Sequence, residues 1–345
     1  MPAGAPAAPV LEVDHLIQRF RVPGGTLEAV SDVSFTIGRG ATLGLVGESG
    51  SGKSSIGRAV IQLPPPAQGA VRLDGRDLTT LSKAELRDAR SGIQMIFQDP
   101  VSALNPRRRV RDIVAEGPAI LGWPRERAEQ RVAEILTQVG LDPAAFGDRR
   151  PHQLSGGQCQ RVAIARALIV EPRMLICDEP VASLDVSVQG QILNLLEDMR
   201  GRYGLSMLFI SHDLSVVHAV SDQIGVMYLG QVVEYGDADV ITREPSHPYT
   251  RGLLDAVPVP DPHAALPETR LRGEIPSPMS PPSGCRFRTR CGFAQDRCAT
   301  EAPVLRPIDT GQVVACHFPL HGGAAPAVQE PAVAEVTNTS GQGGH

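Results

Sequence analysis

Up to about residue 245 the chain alternates short, almost uninterrupted apolar runs with longer stretches in which apolar positions recur every three or four residues. The runs 41–47 (ATLGLVG), 93–98 (IQMIFQ), 173–178 (RMLICD) and 206–210 (SMLFI) predict strands buried on both faces. The stretches 53–63, 125–140, 158–170 and 187–200 predict helices, with Val132, Ile135, Leu136 and Val139 sharing one face of the second. Buried strands that alternate with helices imply an α/β domain around a largely parallel sheet. Ahead of them, Leu11 to Ile37 reads as extended segments joined by the turn Pro23-Gly24-Gly25, a β-rich cap on that domain.

Beyond residue 245 the periodicity fails. Half of the 30 prolines lie in the last 101 residues, and only a short helical piece near 247–257 interrupts the irregular text. From 321 to 345 small and polar residues dominate, which predicts a disordered tail. These shifts predict a tail over 1–10, an α/β domain over 11–245, an irregular segment over 246–320 and the tail 321–345. Nowhere is there a run of apolar residues long enough to span a membrane, and Met1 to Leu16 lacks a basic region followed by an apolar one. These features predict a soluble chain, cytoplasmic or at most peripheral to a membrane. A net charge of −5 makes no general case for binding nucleic acid.

Of the 33 basic residues only Lys53 and Lys83 are lysine, so a lysine here asks for a reason. Lys53 has one: Gly47, Glu48, Ser49, Gly50, Ser51, Gly52, Lys53 and Ser54 spell the phosphate-binding loop, placed between a predicted strand and a predicted helix. The glycines let backbone N–H groups converge on phosphate oxygens, Lys53 reaches the terminal phosphates, and the Ser54 hydroxyl suits Mg²⁺. Gly47, Ser49, Gly50, Ser51, Gly52, Lys53, Ser54 and Ser55 are the expected nucleotide-binding residues of this loop. A second apolar strand ends in Asp178 and Glu179, which places Asp178 beside Mg²⁺ and Glu179 where a base can polarise the attacking water. Leu154, Ser155, Gly156, Gly157 and Gln158 open a helix and offer another anion site at its positive end.

With LSGGQ at 154–158 the sequence resembles the ATP-binding cassette (ABC) ATPases, in which the signature of one subunit closes over the nucleotide held by the phosphate loop of another. The resemblance implies roles for further residues. Gln98, in Phe97-Gln98-Asp99-Pro100, matches the glutamine loop that touches Mg²⁺ and links the site to a transmembrane partner. His212 matches the switch histidine at the γ-phosphate, Asp185 the loop joining the two subunits, and Phe20 the aromatic that stacks on adenine. Ser155, Gly156, Gly157 and Gln158 would complete the partner's site. Two departures are visible: Ala182-Ser183-Leu184-Asp185 stands where Ser-Ala-Leu-Asp is common, and Cys159 where a basic residue is common.

Ser54 and Leu154 are only 100 positions apart, which leaves no room for the long coiled coil of chromosome-maintenance relatives. One cassette, not two, sets the chain apart from translation-factor relatives. His247-Pro248-Tyr249-Thr250-Arg251-Gly252-Leu253-Leu254, Gly273 to Pro278, Pro281 to Phe287 and Phe97 to Pro106 are similar to the oligopeptide/dipeptide importer ATPases. That resemblance implies a peripheral subunit at the cytoplasmic face of the membrane that hydrolyses ATP with Mg²⁺ to power peptide uptake. Its implied partners are a second ATPase subunit, two permease subunits and an extracytoplasmic substrate-binding protein, with no nucleic acid. Import of nickel or another small solute, or a soluble ATPase acting on nucleic acid, are the alternative readings.

Cys285, Cys291, Cys298 and Cys316 are spaced C-x5-C-x6-C-x17-C. Four thiols in a proline-rich, core-poor segment point to an iron–sulfur cluster such as [4Fe-4S], to zinc, or to packed free thiols, and the spacing matches neither the paired zinc pattern nor the common ferredoxin run. Arg286, Arg288, Arg290 and Arg297 nearby suit an anionic cluster or form a solvated basic face. Cys159 and Cys177 fall in cassette segments and read as packing residues.

Overall fold

A computed structural model describes residues 8–256, 271 and 273–321. The expected disordered tail falls, apart from His321, outside the described residues. The chain divides into two compact units, one of Met1–Val10, Gly38–Ala41 and Thr80–Ile210, the other of Leu11–Ile37, Thr42–Thr79 and Ser211–His345.

In the first unit, strands Ile93–Ile96, Met174–Asp178 and Ser206–Ser211 run parallel, with Met174 between Ile93 and Ser206. The latter two are buried along their whole length, as the unbroken apolar runs require. Helices Gly156–Leu168 and Val186–Tyr203 belong to the same unit, the latter stopped by Gly204 in the left-handed conformation. Between strand Ile93–Ile96 and helix Gly156–Leu168 lie the short helices Val110–Val114, Glu116–Ile120 and Pro143–Phe146 and the longer Arg125–Gln138. Arg125–Gln138 buries Val132, Ile135 and Leu136 and leaves an Arg/Glu face in solvent, where Arg125 pairs with Glu129 one turn on.

In the second unit, strands Leu11–Val22 and Gly25–Ile37 form an antiparallel hairpin across the turn that Pro23 and Gly24 predicted, and Gln68–Leu73 pairs on the other side of Leu11–Val22. Strand Thr42–Val46 lies parallel to Gln223–Tyr228. Gln223–Tyr228 turns back through Leu229 and Gly230, both at positive φ, into the antiparallel Gln231–Asp237. The C-terminal segment then extends this sheet: Val313–Val314 pairs with Glu234 and Tyr235, and Arg306–Pro307 pairs with Val313–Val314. Helices Lys53–Val60, Leu214–Val220, Ala238–Arg243, Pro248–Asp255 and Asp296–Thr300 complete the unit. Among the described residues no helix is long and apolar enough to cross a membrane.

Candidate nucleotide site

The phosphate loop leaves strand Thr42–Val46 and ends at helix Lys53–Val60, and its glycines are required sterically. Gly47 sits at φ 156, where a Cβ would lie 2.2 Å from the Met227 carbonyl oxygen. Gly52 sits at φ 105, where a Cβ would lie 2.3 Å from the Ala29 carbonyl oxygen. Loop backbone is thus pressed onto two neighbouring strands, and the Gly230 N–H donates to the Ser51 carbonyl at 2.9 Å to hold it there. Helix Lys53–Val60 opens at Gly52 without a side-chain cap, so its first turn faces the loop as a positive helix end. Lys53 is buried; its ammonium donates to the carbonyls of Gly47 at 2.6 Å and Glu48 at 3.0 Å and reaches Ser51 Oγ at 3.3 Å. Ser51 is buried, Gly52, Ser54 and Ser55 are half-buried, and Ser49 and Gly50 are exposed at the loop tip.

The same unit carries His212, exposed just past strand Ser206–Ser211, in a turn ordered by Asp213, whose carboxylate accepts from the Ser215 N–H at 2.8 Å and the Val216 N–H. Phe20 is half-buried on the edge hairpin, opposite Leu27.

In the other unit Asp178 is fully buried as the last residue of its strand, and Glu179 follows at φ 48. That left-handed conformation is unusual for a residue with a side chain and is held by the Glu179 N–H bonding the Ile210 carbonyl at 2.9 Å. Gln98 Nε2 donates to Glu179 Oε2 at 2.9 Å, which brings two predicted site residues together across 81 positions of sequence. Ser155 caps helix Gly156–Leu168 in a capping box: its hydroxyl accepts the Gln158 N–H, and its own N–H donates to Gln158 Oε1 at 3.0 Å. Ser155 and Gly156 are exposed. A Cβ on Gly157 would lie 2.7 Å from Val188 Cγ1, so the signature turn abuts the start of helix Val186–Tyr203, which Asp185 precedes, itself exposed.

All four late cysteines line one cavity of about 10 Å³, with Phe287, Phe293 and Phe318 among its walls. Burial pushes the Cys285 thiol up to about 11 and the Cys316 thiol up to about 12, and raises Cys291 as well. All are free thiols, and among the described residues no group of three or more His, Cys, Asp or Glu side chains is placed to hold a metal ion. As they stand, the four cysteines therefore lack the preformed geometry that the cluster and zinc readings expect. Cys159 and Cys177 are buried, and burial raises both thiols.

Two contacts escaped the sequence. Arg290 makes a two-pronged ion pair with Glu48 of the phosphate loop, and Arg286 donates to Ser31 Oγ at 3.0 Å and to the Leu229 carbonyl. From sequence alone both arginines read as cluster neighbours or a solvated face. An acid inside a loop that collects phosphate was the signal that a counter-charge must come from somewhere. Glu234, fully buried, was also missed; it accepts the N–H groups of Ser246 at 2.6 Å and His247 at 3.1 Å, and burial pushes its carboxyl up to about 7.

The family described as "ABC transporter" matches residues 30–182, and "Oligopeptide/dipeptide transporter, C-terminal region" matches residues 233–298. The oligopeptide transport ATP-binding protein OppF of Escherichia coli is 50% identical over 84% of this chain and 87% of its own. A Brucella ovis protein named for peptide import and ATP binding is 49% identical over 89% of this chain and 97% of its own. Among solved structures, the ATP-binding cassette MJ0796, a dimer in a post-hydrolysis state with ADP and Pi, superposes with a TM-score of 0.60 at 28% identity, covering 66% of this chain and 98% of that one. The chain's own phosphate loop, acid pair at a strand end and serine-capped signature helix stand alongside relatives nearly half identical to it along most of their length: the chain belongs to the ABC transporter family and carries the oligopeptide/dipeptide transporter C-terminal region.

Proposed function

We propose that this chain is the ATP-hydrolysing subunit of an importer for di- or oligopeptides, seated on the cytoplasmic face of the membrane. The observation that carries the peptide reading is the co-occurrence, in one chain, of the phosphate loop at 47–54 with the C-terminal region matched over 233–298. On this reading residues 11–245 form the nucleotide-binding domain, with about 99–153 as its helical subdomain, and 246–320 form the extension. A second ATPase subunit, two permeases and a substrate-binding protein outside the membrane complete the machine.

Lys53 and the loop amides hold the β- and γ-phosphates, Phe20 stacks on the adenine, and His212 contacts the γ-phosphate. Glu179 takes the proton of the attacking water as its oxygen bonds to the γ-phosphorus and the bond to the bridging oxygen breaks, leaving ADP and phosphate. The Gln98 amide, donating to the Glu179 carboxylate, orients that base. The hydroxyl of Ser54, the amide oxygen of Gln98 and the buried carboxylate of Asp178 are oxygen donors, the set a hard divalent cation takes, and Mg²⁺ held by them would offset the phosphate charge. Ser155, Gly156, Gly157 and Gln158 complete the partner's site, and Asp185 lies at the joint between subunits. Because each site needs two subunits, hydrolysis is tied to closure, and closure moves the permeases.

Uptake of a labelled dipeptide, a labelled pentapeptide and ⁶³Ni²⁺ by cells with and without this chain tests the cargo. Loss of peptide uptake alone is the expected result. Loss of nickel uptake with peptide uptake intact would move the assignment to the nickel alternative.

For the late cysteines, the four thiols line one cavity without being placed to hold a metal ion, and burial disfavours the thiolates at Cys285, Cys291 and Cys316, which supports packed free thiols over a cluster or zinc. Anaerobic purification with assays for iron and sulfide tests this: an iron-free protein with full ATPase activity is expected, and iron and sulfide in equal amount would restore the cluster reading.

A further inference from the structure

The phosphate loop carries an acid, Glu48, immediately after its first glycine. A carboxylate beside a site that gathers triphosphate charge opposes binding, because like charges a few ångströms apart in a partly desolvated site repel strongly. The chain answers this with Arg290, 242 residues away. Its Nη1 donates to Glu48 Oε2 at 2.6 Å and its Nη2 to Oε1 at 2.9 Å, the parallel fork that arginine makes with a carboxylate. The Arg290 side chain is 5% exposed and that of Glu48 23%, so solvent screens the pair little.

The surroundings fix the pair from both sides. The Tyr249 hydroxyl accepts the Glu48 N–H at 2.8 Å, which commits that amide to the fold. Tyr228, Tyr249 and Phe287 pack with ring centroids 4.8 to 5.3 Å apart, and the Arg290 guanidinium lies 5.8 Å from the Tyr228 ring centre. Arg290 itself is carried on a tight turn in which its N–H bonds the Phe287 carbonyl at 2.9 Å. Arg286, on the same turn, donates to Ser31 and to Leu229, whose neighbour Gly230 holds the Ser51 carbonyl of the loop.

We propose that Arg290 is a positioning residue for nucleotide: by neutralising Glu48 and fixing the first turn of the phosphate loop, the C-terminal turn 285–291 sets the affinity of the cassette for ATP phosphates. The inference rests on the reading that this loop binds ATP. It makes the extension part of the nucleotide site's construction.

The test is equilibrium binding of ATP, with adenosine as the phosphate-free control, to the full chain and four variants, alongside KM and kcat for hydrolysis. Arg290→Gln leaves Glu48 uncompensated; ATP binding weakens and KM rises by about tenfold or more, while kcat at saturation changes less than about threefold and adenosine binding is unmoved. Arg290→Lys, which keeps charge but loses the fork, falls between. Glu48→Gln alone leaves a positive charge beside the loop and tightens ATP binding. The double variant Glu48→Gln/Arg290→Gln returns to within about threefold of the wild-type affinity, because the repelling charge is gone. A structural tie without this role predicts the opposite for the double variant, as weak as Arg290→Gln or weaker. That result, or an Arg290→Gln protein with wild-type ATP affinity, overturns the proposal. A wild-type chain that binds no ATP overturns the underlying reading together with it.

Discussion

The phosphate loop and the signature turn are both glycine-rich entries to a helix, yet they are built in opposite ways. The loop is finished from outside itself: Lys53 is buried, Gly47 and Gly52 are pressed onto neighbouring backbone, Gly230 and Tyr249 hold its amides and carbonyls, and Arg290 pairs its acid. Its helix has no side-chain cap, so the positive end faces the loop. The signature is finished from within, by Ser155 and Gln158 capping each other, with Ser155 and Gly156 exposed. A serine hydroxyl that accepts the helix N–H still has its own proton to donate. The loop is thus held in place by residues from elsewhere in its own unit, whereas the signature turn caps itself and stays exposed, which on the proposed function suits it to a ligand held by the partner subunit.

That contrast breaks cleanly under mutation. Lys53→Ala removes the compact ammonium and is expected to lower both ATP affinity and hydrolysis by about 100-fold or more, read by equilibrium binding and phosphate release. Ser155→Arg at the signature is expected to lower turnover by a similar factor while ATP binding to the isolated chain stays within about twofold. Equal loss of binding in the two variants would erase the distinction.

A smaller effect concerns the unit that holds the loop. Burial raises the Glu234 carboxyl to about 7 in the fold, from 4.5 for the free group. Below pH about 4.5 it is protonated in both states and costs nothing. As pH rises towards 7 the unfolded chain ionises while the folded chain keeps its proton, so stability falls, by about 3 kcal/mol once both are charged. Unfolding measured from pH 5 to 8 should show this decline, and Glu234→Gln should flatten it. The smallest effect is on the signature side: Ser155→Ala removes the cap and is expected to cost about 1 kcal/mol of stability in denaturant unfolding.

The sequence resolved what is local. The runs at 41–47, 93–98, 173–178 and 206–210 became strands 42–46, 93–96, 174–178 and 206–211, since burial on both faces writes an unbroken apolar run. Strand Gln68–Leu73 carries only two buried residues, Val71 and Leu73, too short a signal to predict it, and Gln231–Asp237 is masked by a buried glutamate in its middle. The loop and signature residues are contiguous, so spacing alone exposed them. The bond between Gln98 and Glu179 was approached through resemblance, and the Arg290 pair could not be read at all, because only the folded sheet brings the turn at 285–291 to the loop at 47–54. Periodicity reports which face a residue buries; it says nothing of a charge partner 242 positions away.

On the proposed function Glu179, at its left-handed turn and bonded by Gln98, is the base of an ATPase whose two sites are each shared between subunits. Glu179→Gln tests it most directly, with ATP binding, phosphate release and ATP-dependent association measured on one preparation. Near-normal ATP binding, phosphate release reduced by about 100-fold or more and accumulation of an ATP-bound dimer are expected; phosphate release at the wild-type rate would remove Glu179 as the base.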